Sequence, residues 1–593
     1  MSHYDYPYRD VEFVINNLLN FDQLAAAGQL DGVDSGFLME VLNEAAKLGT
    51  DVLAPLNVVG DRQGAQLTEA GVQETAGFAA AYELYQQGGW TSLAAAPEYG
   101  GQGLPNLLST AVSEVIQTAN LAFSLCPLLS TGAMHAIEAH GSDELKQTWL
   151  PKMVDGSWTG TMNLTEPDAG SDLAAVKTRA VPEGDHYRIS GQKIFITWGD
   201  HQMTDNIVHL VLARLPDAPA GVKGISLFLV PKFLLDDQGQ PATANDVRCV
   251  ALEHKLGIHA SPTCAMSFGD EGGAVGYLVG EPNEGLACMF TMMNDARQAV
   301  GLQGVAVAER SYQQARQFAK ERLQGTKADG SRFSIIKFGD VRRMLLQMKS
   351  VTEAMRALAY VGAVEIDREK LAASPAEAAQ HRARTELLTP IVKAWLTEMA
   401  QEVTYLGTQI HGGMGFIEET GSAQFYRDAR ILTIYEGTTG IQALDFVGRK
   451  VLRDGGAALR ELLADIEAVV TELVDVEPLH GLGQQLGEAL QTGREALDWM
   501  LGAGAENREL LQAVSVPLLM LYGHLCGGWL LGQSALRAQR LLGDGSGDRE
   551  FLRAKVVSAQ FFAAHLLPRV KAALDSIQRD NGVALLLSEE QFN

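Results

Sequence analysis

The sequence predicts an α+β protein in which a small β-barrel or sandwich lies between helical domains. Three observations predict this class. Apolar residues recur at helical spacing before about residue 160 and after about residue 280, short β-type runs separated by turn formers fill the stretch between, and 593 residues exceed one compact core. We therefore expect an N-terminal helical domain (1–160), a β domain (161–280), a C-terminal helical bundle (281–450) and an extra helical domain (451–593).

The first 160 residues are predicted to be helical apart from one loop. Asp34 can cap a helix, and the residues that follow place an apolar face at three- and four-residue spacing. The face consists of Phe37, Leu38, Val41, Leu42, Ala45 and Leu48. The run YGGQGLPN at 99–106 is predicted to be a loop because glycine and proline dominate it, and helical patterning resumes at Leu107.

The β domain is predicted from runs rich in β-branched and aromatic residues. These runs are HYRISGQKIFIT (186–197), NIVHLVLARL (206–215), GISLFLV (224–230) and CAMSFGD (264–270). Turn formers such as those at 182–185 and 217–219 separate the predicted strands.

The remainder is predicted to be helical. Long helices are expected over 285–323 and 341–367, with a third after Pro390. Four more segments follow near 456–475, 484–503, 507–540 and 549–577. The stretch from Ala513 to Gly532 has no formal charge and is long enough to cross a membrane. We favour a buried helix pair instead, because a proline, a histidine and two glycines interrupt the stretch and its flanks lack a basic bias.

Composition excludes several classes of function. There are 47 Lys and Arg against 72 Asp and Glu, so the formal net charge of −25 disfavours nucleic acid and anionic lipid as partners. The five cysteines have no CxxC spacing, and the N-terminus does not resemble a signal peptide, so we expect reduced thiols and a cytoplasmic protein. The sequence has no HExxH metal motif, no phosphate-binding GxxxxGK[ST] loop, no GxGxxG after a strand and no GxSxG elbow.

Two stretches carry residues suited to chemistry. NLTEPDAGSDLAAVKT (163–178) combines hydroxyls with a tight loop, which suits a polar ligand or, equally, a simple turn that opens a strand. The second stretch runs from Gln409 to Gln442 and contains Glu436 between an apolar run and a glycine. Desolvation there can raise the pKa of a carboxylate, which makes it a stronger base for catalysis. The alternative is that Glu436 merely precedes a helix capped by Thr438 or Thr439.

Together these stretches resemble the acyl-CoA dehydrogenase family of flavoenzymes. TEPDAGSD (165–172), GQKIFIT (191–197), ERLQG (321–325), QIHGGMGF and RDARILTIYEGTTGIQ occur in the order of that family's motifs, over about residues 35–450. The resemblance implies FAD as cofactor and an acyl-CoA substrate that is converted to the trans-2-enoyl-CoA, as in fatty-acid β-oxidation. It further implies that electrons pass to electron-transfer flavoprotein.

The resemblance also implies a role for each matching residue. Glu436 would remove the α-proton of the acyl thioester. Residues expected to contact FAD are Leu164, Thr165, Phe195, Thr197 and Thr438 and, toward a second subunit, Arg322, Gln324, Gln409 and Gly413. Residues expected to bind the acyl-CoA are Ser171, Asn294, Arg297 and Gly437. No metal ligand is implied. Two flavin-side positions depart from the family, with Met162 where tyrosine is frequent and Phe195 where tryptophan is common.

The extra helical domain resembles the extension of the longer bacterial members, which include relatives of the very-long-chain and methylmercaptopropionyl-CoA dehydrogenases. Since such an extension covers the surface by which smaller members pair two dimers, we expect a homodimer. The uncharged residues at the expected pocket floor are Cys126, Pro127, Leu128 and Leu129, and they favour a medium-to-long acyl chain, with aryl or sulfur-bearing chains as alternatives. An acyl-CoA oxidase and a catalytically idle scaffold are the competing functions.

Overall fold

The computed structural model describes residues 4–580 and 582–593. The chain divides into two compact units, which are Glu44–Ala299, here the β unit, and the chain up to Asn43 together with Val300–Asn593, here the helical unit. The α-helices are α1 (Tyr8–Phe13), α2 (Phe21–Ala27), α3 (Ser35–Lys47), α4 (Ala54–Gln63), α5 (Phe78–Gln87), α6 (Asn106–Ala119), α7 (Leu121–His140), α8 (Asp143–Val154), α9 (Gly285–Glu321), α10 (Gly339–Leu371), α11 (Pro375–His411), α12 (Ser422–Ala429), α13 (Thr439–Asp445), α14 (Ala457–Asp475), α15 (His480–Trp499), α16 (Arg508–Ala513), α17 (Ser515–Gly543), α18 (Arg549–His565) and α19 (Pro568–Asp580).

The strands lie mainly in the β unit, as predicted. They are β1 (Gln66–Thr68), β2 (Gly71–Gln73), β3 (Trp158–Asn163), β4 (Arg179–Glu183), β5 (His186–Thr197), β6 (Asn206–Arg214), β7 (Ile225–Pro231), β8 (Phe233–Leu235), β9 (Pro241–Ala244), β10 (Val247–Leu252), β11 (Thr263–Phe268), β12 (Ala274–Val279), β13 (Leu323–Thr326) and β14 (Arg332–Ser334). The predicted α+β class, with β structure between helical regions, is confirmed.

The main sheet closes on itself as a small barrel. Its strands are ordered β10-β11-β5-β12-β7-β6-β3, and β4 pairs with both β5 and β6. The pairings β5–β12, β12–β7, β7–β6, β6–β4 and β4–β5 therefore form a ring of five strands. Every residue of β7 is buried, which explains why this strand is an unbroken apolar run rather than an alternating one.

Helices α7 and α8 cover one face of this sheet. Ala133, Trp149 and Met153 share a buried apolar cluster with Leu210 of β6 and Leu227 of β7. Gly160 of β3 allows close contact, because a Cβ there would lie 2.5 Å from the Cβ of Ala133. The expectation that the first 160 residues are helical apart from the 99–106 loop was wrong in one place, where β1 and β2 form a hairpin too short for a periodic signal.

In the helical unit, α10 and α11 form an antiparallel pair against which α17 packs. Trp395 of α11 is fully buried, and its indole N–H donates to His524 Nδ1 of α17 at 3.1 Å. Helix α17 is the one helix among the described residues that is apolar and long enough to cross a membrane, and 83% of its most apolar window is buried inside the protein.

A buried ionic network anchors the N-terminal segment in the same unit. Asp10 of α1 accepts from Arg356 of α10 at 2.5 Å and from Lys555 of α18 at 2.5 Å. Arg356 also donates to Glu309 at 2.8 Å. Burial alone would raise the pKa of Asp10, but Lys555, Arg356 and Lys349 outweigh it and hold that pKa well below its usual range.

Three predicted element boundaries were wrong. Helix α11 does not start after Pro390; it begins at Pro375, where Ser374 Oγ accepts from the Glu377 N–H at 3.2 Å, and it continues through the buried Pro390. The segment 507–540 is a short helix followed by one long helix, so the predicted pair within Ala513–Gly532 is a single helix. The segment 549–577 breaks before Pro568, which starts α19. The division into four domains at 160, 280 and 450 stays a prediction.

Candidate active site

In the β unit, the loop that follows β3 is held by one buried carboxylate. Glu166 is 5% exposed and accepts from the Lys177 N–H at 2.7 Å, the Thr178 N–H at 3.1 Å and Thr178 Oγ1 at 2.5 Å. The exposed side chain of Asp168 pairs with Lys177 at 2.6 Å in the same loop. The loop is thus folded around Glu166, with residues 167–176 as the enclosed segment.

Lys193 of β5 is the charged partner of Glu166. Its ammonium is fully buried and donates to Glu166 Oε1 at 2.8 Å and to the Leu164 carbonyl at 3.0 Å. Burial lowers the pKa of Lys193 to about 8, although Glu166 opposes the shift, so the side chain is largely protonated at neutral pH. Burial would raise the pKa of Glu166, but Lys193 outweighs it and keeps that pKa below its usual value.

A β-bulge beside Lys193 turns Phe195 outward. The pairing of β5 with β11 matches Ile196 to Cys264 and Lys193 to Met266, so two β5 residues oppose one residue of β11. Phe195 adopts a φ of +60° and is 57% exposed, while the Ile194 N–H donates to the Thr165 carbonyl at 2.9 Å. Bulges re-aim side chains next to functional sites, and this one brings Phe195 beside the loop.

Four predicted flavin contacts therefore lie together in the β unit. Leu164 and Thr165 open the loop, and Phe195 and Thr197 end the strand to which the loop is bonded. The predicted acyl-CoA contacts are farther along the chain. Ser171 is exposed in the loop, and in α9 the buried Arg297 donates to the exposed Asn294 at 3.4 Å.

In the helical unit, Glu436 lies in a short connection before α13. It is half-buried, and its φ of +55° is unusual for a residue with a side chain. Gln442 Nε2 donates to the Glu436 carbonyl at 3.2 Å, and Gly437 follows with a φ of +91°. Thr438 Oγ1 accepts from the Ile441 N–H at 3.3 Å, so of the two threonines considered as caps it is Thr438 that caps α13. The cap alone does not account for the strained backbone at Glu436.

Side chains of α11 support the segment that carries Glu436. The fully buried Lys393 donates to the Leu432 carbonyl at 3.0 Å, and Glu398 accepts from Thr439 Oγ1 at 2.6 Å. Tyr435 donates from its hydroxyl to Gln303 Oε1. Burial, reinforced by the charge of Glu436, raises the pKa of Tyr435 well above its usual value, so Tyr435 stays a neutral donor. The connection is therefore fixed on both sides of Glu436.

The remaining predicted residues share one end of the helical unit. The rings of Phe318 in α9 and His411 in α11 lie 4.4 Å apart, which brings the ends of these helices together. Four exposed residues lie within a few positions of this contact in the chain. Near Phe318 these are Arg322 and Gln324, and near His411 they are Gln409 and Gly413. Phe416, 88% exposed, lies in the same 412–416 turn, so this end of the unit offers both donors and apolar surface.

The chain was compared with known proteins. Family profiles described as acyl-CoA dehydrogenase N-terminal, middle and C-terminal domains match residues 63–157, 161–270 and 283–452, and one described as acetyl-CoA dehydrogenase C-terminal like matches 452–587. A 3-methylmercaptopropionyl-CoA dehydrogenase of Ruegeria pomeroyi is 47% identical over 98% of this chain and 99% of its own. The chain belongs to the acyl-CoA dehydrogenase family. The members of this family are FAD-dependent oxidoreductases.

One further relative and one solved structure are also similar to this chain. A broad-specificity linear acyl-CoA dehydrogenase of Mycobacterium tuberculosis is 35% identical over the full length of both chains. An acyl-CoA dehydrogenase of Bacillus anthracis, solved in complex with FAD, has a TM-score of 0.74 and covers 94% of this chain and 90% of its own at 22% identity. At that identity the likeness shows a shared fold.

Sequence reasoning missed the residues that hold the site in shape. Glu166 and Lys193 stand inside the quoted motifs TEPDAGSD and GQKIFIT, and opposite charges within two motifs were the available signal. Gln303 and Gln442 carry no such signal, because a glutamine in a helix is ordinarily a surface residue.

Proposed function

We propose that this protein is an acyl-CoA dehydrogenase that forms the trans-2 double bond of an acyl-CoA, with Glu436 as the base. The observation that carries the proposal is the backbone of Glu436, held at a φ of +55° between Gln442 and Gly437. Strain of this kind costs of order 1–3 kcal/mol, and it is maintained where function needs a fixed orientation. In this reaction Glu436 takes the α-proton, and the two electrons of the β-C–H bond leave as hydride.

The β unit has residues that fit a flavin. Phe195 offers an exposed aromatic face next to Leu164, while Thr165 and Thr197 offer hydroxyls within the same bonded group. An aromatic ring system with polar edges needs this mixture of apolar cover and donors. When bound, the flavin supplies the acceptor for the hydride. The protein residues position it, with the Glu166–Lys193 pair fixing the loop that carries Leu164 and Thr165.

The predicted contacts with FAD, with a second subunit and with the acyl-CoA are proposals as well. The residues that contact FAD from the helical unit are Thr438 and, from a second copy of this chain, Arg322, Gln324, Gln409 and Gly413. Their exposure at one end of the helical unit, beside the apolar Phe416, supports a homodimer that uses this surface. Ser171, Asn294, Arg297 and Gly437 bind the acyl-CoA. Electron-transfer flavoprotein is proposed as the acceptor on the same family resemblance, and a cytoplasmic location is proposed because the five cysteines have no CxxC spacing.

The acyl group is proposed from the relatives. The full-length relative at 47% identity is a 3-methylmercaptopropionyl-CoA dehydrogenase, which favours a short sulfur-bearing chain over the medium-to-long chain expected from Cys126, Leu128 and Leu129. Rates of flavin bleaching with 3-methylmercaptopropionyl-, butyryl-, octanoyl- and palmitoyl-CoA distinguish these substrates. A highest kcat/KM for palmitoyl-CoA would contradict the sulfur-bearing assignment.

Substitution of the base tests the reaction. Glu436→Gln keeps the size of the side chain, so the protein should fold and retain flavin, while bleaching by an acyl-CoA should slow by at least about 10²–10⁴-fold because a positioned base is lost. The matched control is Glu419→Gln, an exposed carboxylate of the same unit. Bleaching by Glu436→Gln at the rate of the control would refute the assignment.

A further inference from the structure

A cavity of about 400 Å³ that is partly open to solvent lies in the helical unit, and none of the residues proposed above for catalysis or cofactor binding lines it. Its lining comes from α10, α11, α14 and α17 and from the segment before α2. The buried apolar part of the lining consists of Leu18, Leu19, Val361 and Trp529, each less than one-tenth exposed, and the exposed Ala464 lies at the edge. The volume falls within the range of small-molecule sites.

The polar part of the lining is organised around a buried carboxylate. Glu365, whose side chain is 8% exposed, accepts from Arg368 Nη1 at 2.6 Å on one oxygen and contacts His381 Nδ1 at 2.7 Å with the other. Both oxygens are therefore engaged. Arg384, 14% exposed, donates from Nη2 to the half-exposed Asp465 at 2.7 Å.

The balance of donors and acceptors decides which ligand fits. A guanidinium has five N–H donors, and among the described residues Arg368 and Arg384 each use one of them in an ion pair. Each oxygen of the buried acceptor Glu365 already accepts a hydrogen bond, while Asp465 and Glu461 are solvated at the exposed edge. The lining thus has spare guanidinium donors, from the largely buried Arg384 and the partly exposed Arg368, beside apolar surface. This combination suits an anion with a hydrocarbon body rather than an amine.

We propose that this cavity binds a small aliphatic monocarboxylate. The carboxylate accepts from Arg384 and Arg368, and the hydrocarbon chain packs on Trp529 and Val361. Since the lining joins α10 and α11 to α14 and α17, an occupant bound only by the folded protein stabilises the helical unit by linkage. This inference is independent of the reaction proposed for Glu436.

Direct binding of hexanoate to the FAD-loaded enzyme, measured by isothermal titration calorimetry, tests the proposal. Hexylamine and hexanol serve as ligands of matched length without the carboxylate. Hexanoate should bind and raise the Tm, and Arg384→Gln should weaken its binding by about 10- to 100-fold, the worth of a charge-assisted hydrogen bond. The exposed Arg460 on α14, which donates to the Gly455 carbonyl at 2.8 Å, gives the control Arg460→Gln.

A second measurement locates the ligand and guards against misfolding of Arg384→Gln. Hexanoate should change the tryptophan fluorescence of the holoenzyme, and Trp529→Phe, which keeps the apolar wall, should abolish that change while binding persists. Arg368→Gln should weaken binding in the same direction. The proposal would be overturned if hexylamine bound more tightly than hexanoate, or if hexanoate did not bind at millimolar concentration. It would also be overturned if Arg384→Gln and Arg460→Gln bound hexanoate with equal affinity.

Discussion

Glu166→Gln should loosen the loop that we propose to hold the flavin. The substitution keeps the shape of the side chain but removes the charge that Lys193 faces in a fully buried position. It also places an amide N–H₂ among groups that donate, namely the N–H groups of Lys177 and Thr178 and the Thr178 hydroxyl. At least one donor therefore loses its acceptor.

The expected magnitude follows from the burial of the pair. Removing one partner of a buried ion pair costs about 3–5 kcal/mol, because the remaining charge is desolvated and uncompensated. If the loop bears the whole cost, FAD affinity should fall between about 100-fold and several thousand-fold. In Glu166→Gln/Lys193→Met both charges are absent, so the double variant should be less impaired than Glu166→Gln alone.

The same loop supplies the control. Asp168 pairs with Lys177 at 2.6 Å, close to the Glu166–Lys193 distance, but both side chains are about two-thirds or more exposed. Asp168→Asn should therefore leave FAD affinity unchanged, because exposed pairs contribute little. FAD titration of each apoprotein by flavin fluorescence is the assay. Equal affinities in Glu166→Gln and Asp168→Asn would refute a positioning role for the buried pair.

Three further predictions concern the helical unit. Asp10→Asn should lower the free energy of unfolding at pH 7 by about 3–5 kcal/mol, whereas Arg9→Gln, which breaks an exposed ion pair between the same segments, should not. Because the folded pKa of Asp10 is depressed, its contribution to stability is present above about pH 4 and is lost as the pH falls toward the folded pKa. Urea unfolding should therefore show the stabilities of the two variants converging in acid. Arg322→Ala should lower flavin occupancy and dimer content together, and a variant dimer that keeps full flavin through gel filtration would make Arg322 a surface charge only. Deletion of 451–593 should cause aggregation, because it exposes the fully buried Trp395, and sedimentation of a soluble, active, truncated dimer would contradict this.

Local patterns were sufficient to predict most elements of this fold. The predicted helix cap at Asp34 is confirmed by a 2.8 Å bond to the Phe37 N–H, and the run HYRISGQKIFIT is strand β5 from its first residue to its last. Pro390 misled the prediction because its missing N–H costs one helical bond, which the packing of α11 outweighs. The hairpin of β1 and β2 was missed because three-residue strands have no measurable period.

The site was predictable as motifs but not as geometry. Glu436 stood out as a carboxylate beside a glycine, but its positive φ was not foreseen. The bonds around it come from Gln442, six residues later, and from Lys393 of another helix, and the linear sequence does not reveal these partners. The outward turn of Phe195 arises from a register shift against β11, a non-local pairing that a linear pattern does not encode.

The glycines of α17 allow close helix packing, although in the sequence they resemble breaks in a helix. Gly527 and Gly528 looked like interruptions of an apolar run, and together with Pro517, His524 and flanks without a basic bias they were the reason to prefer a buried helix pair over a membrane span. In the structure none of them breaks the helix. A Cβ at Gly523 would lie 2.3 Å from the indole of Trp395, and one at Gly528 would lie 2.5 Å from Leu567. The glycines are therefore contact points at which α17 approaches α11 and the start of α19, and this close packing makes residues 451–593 part of the same core as the segment that carries Glu436.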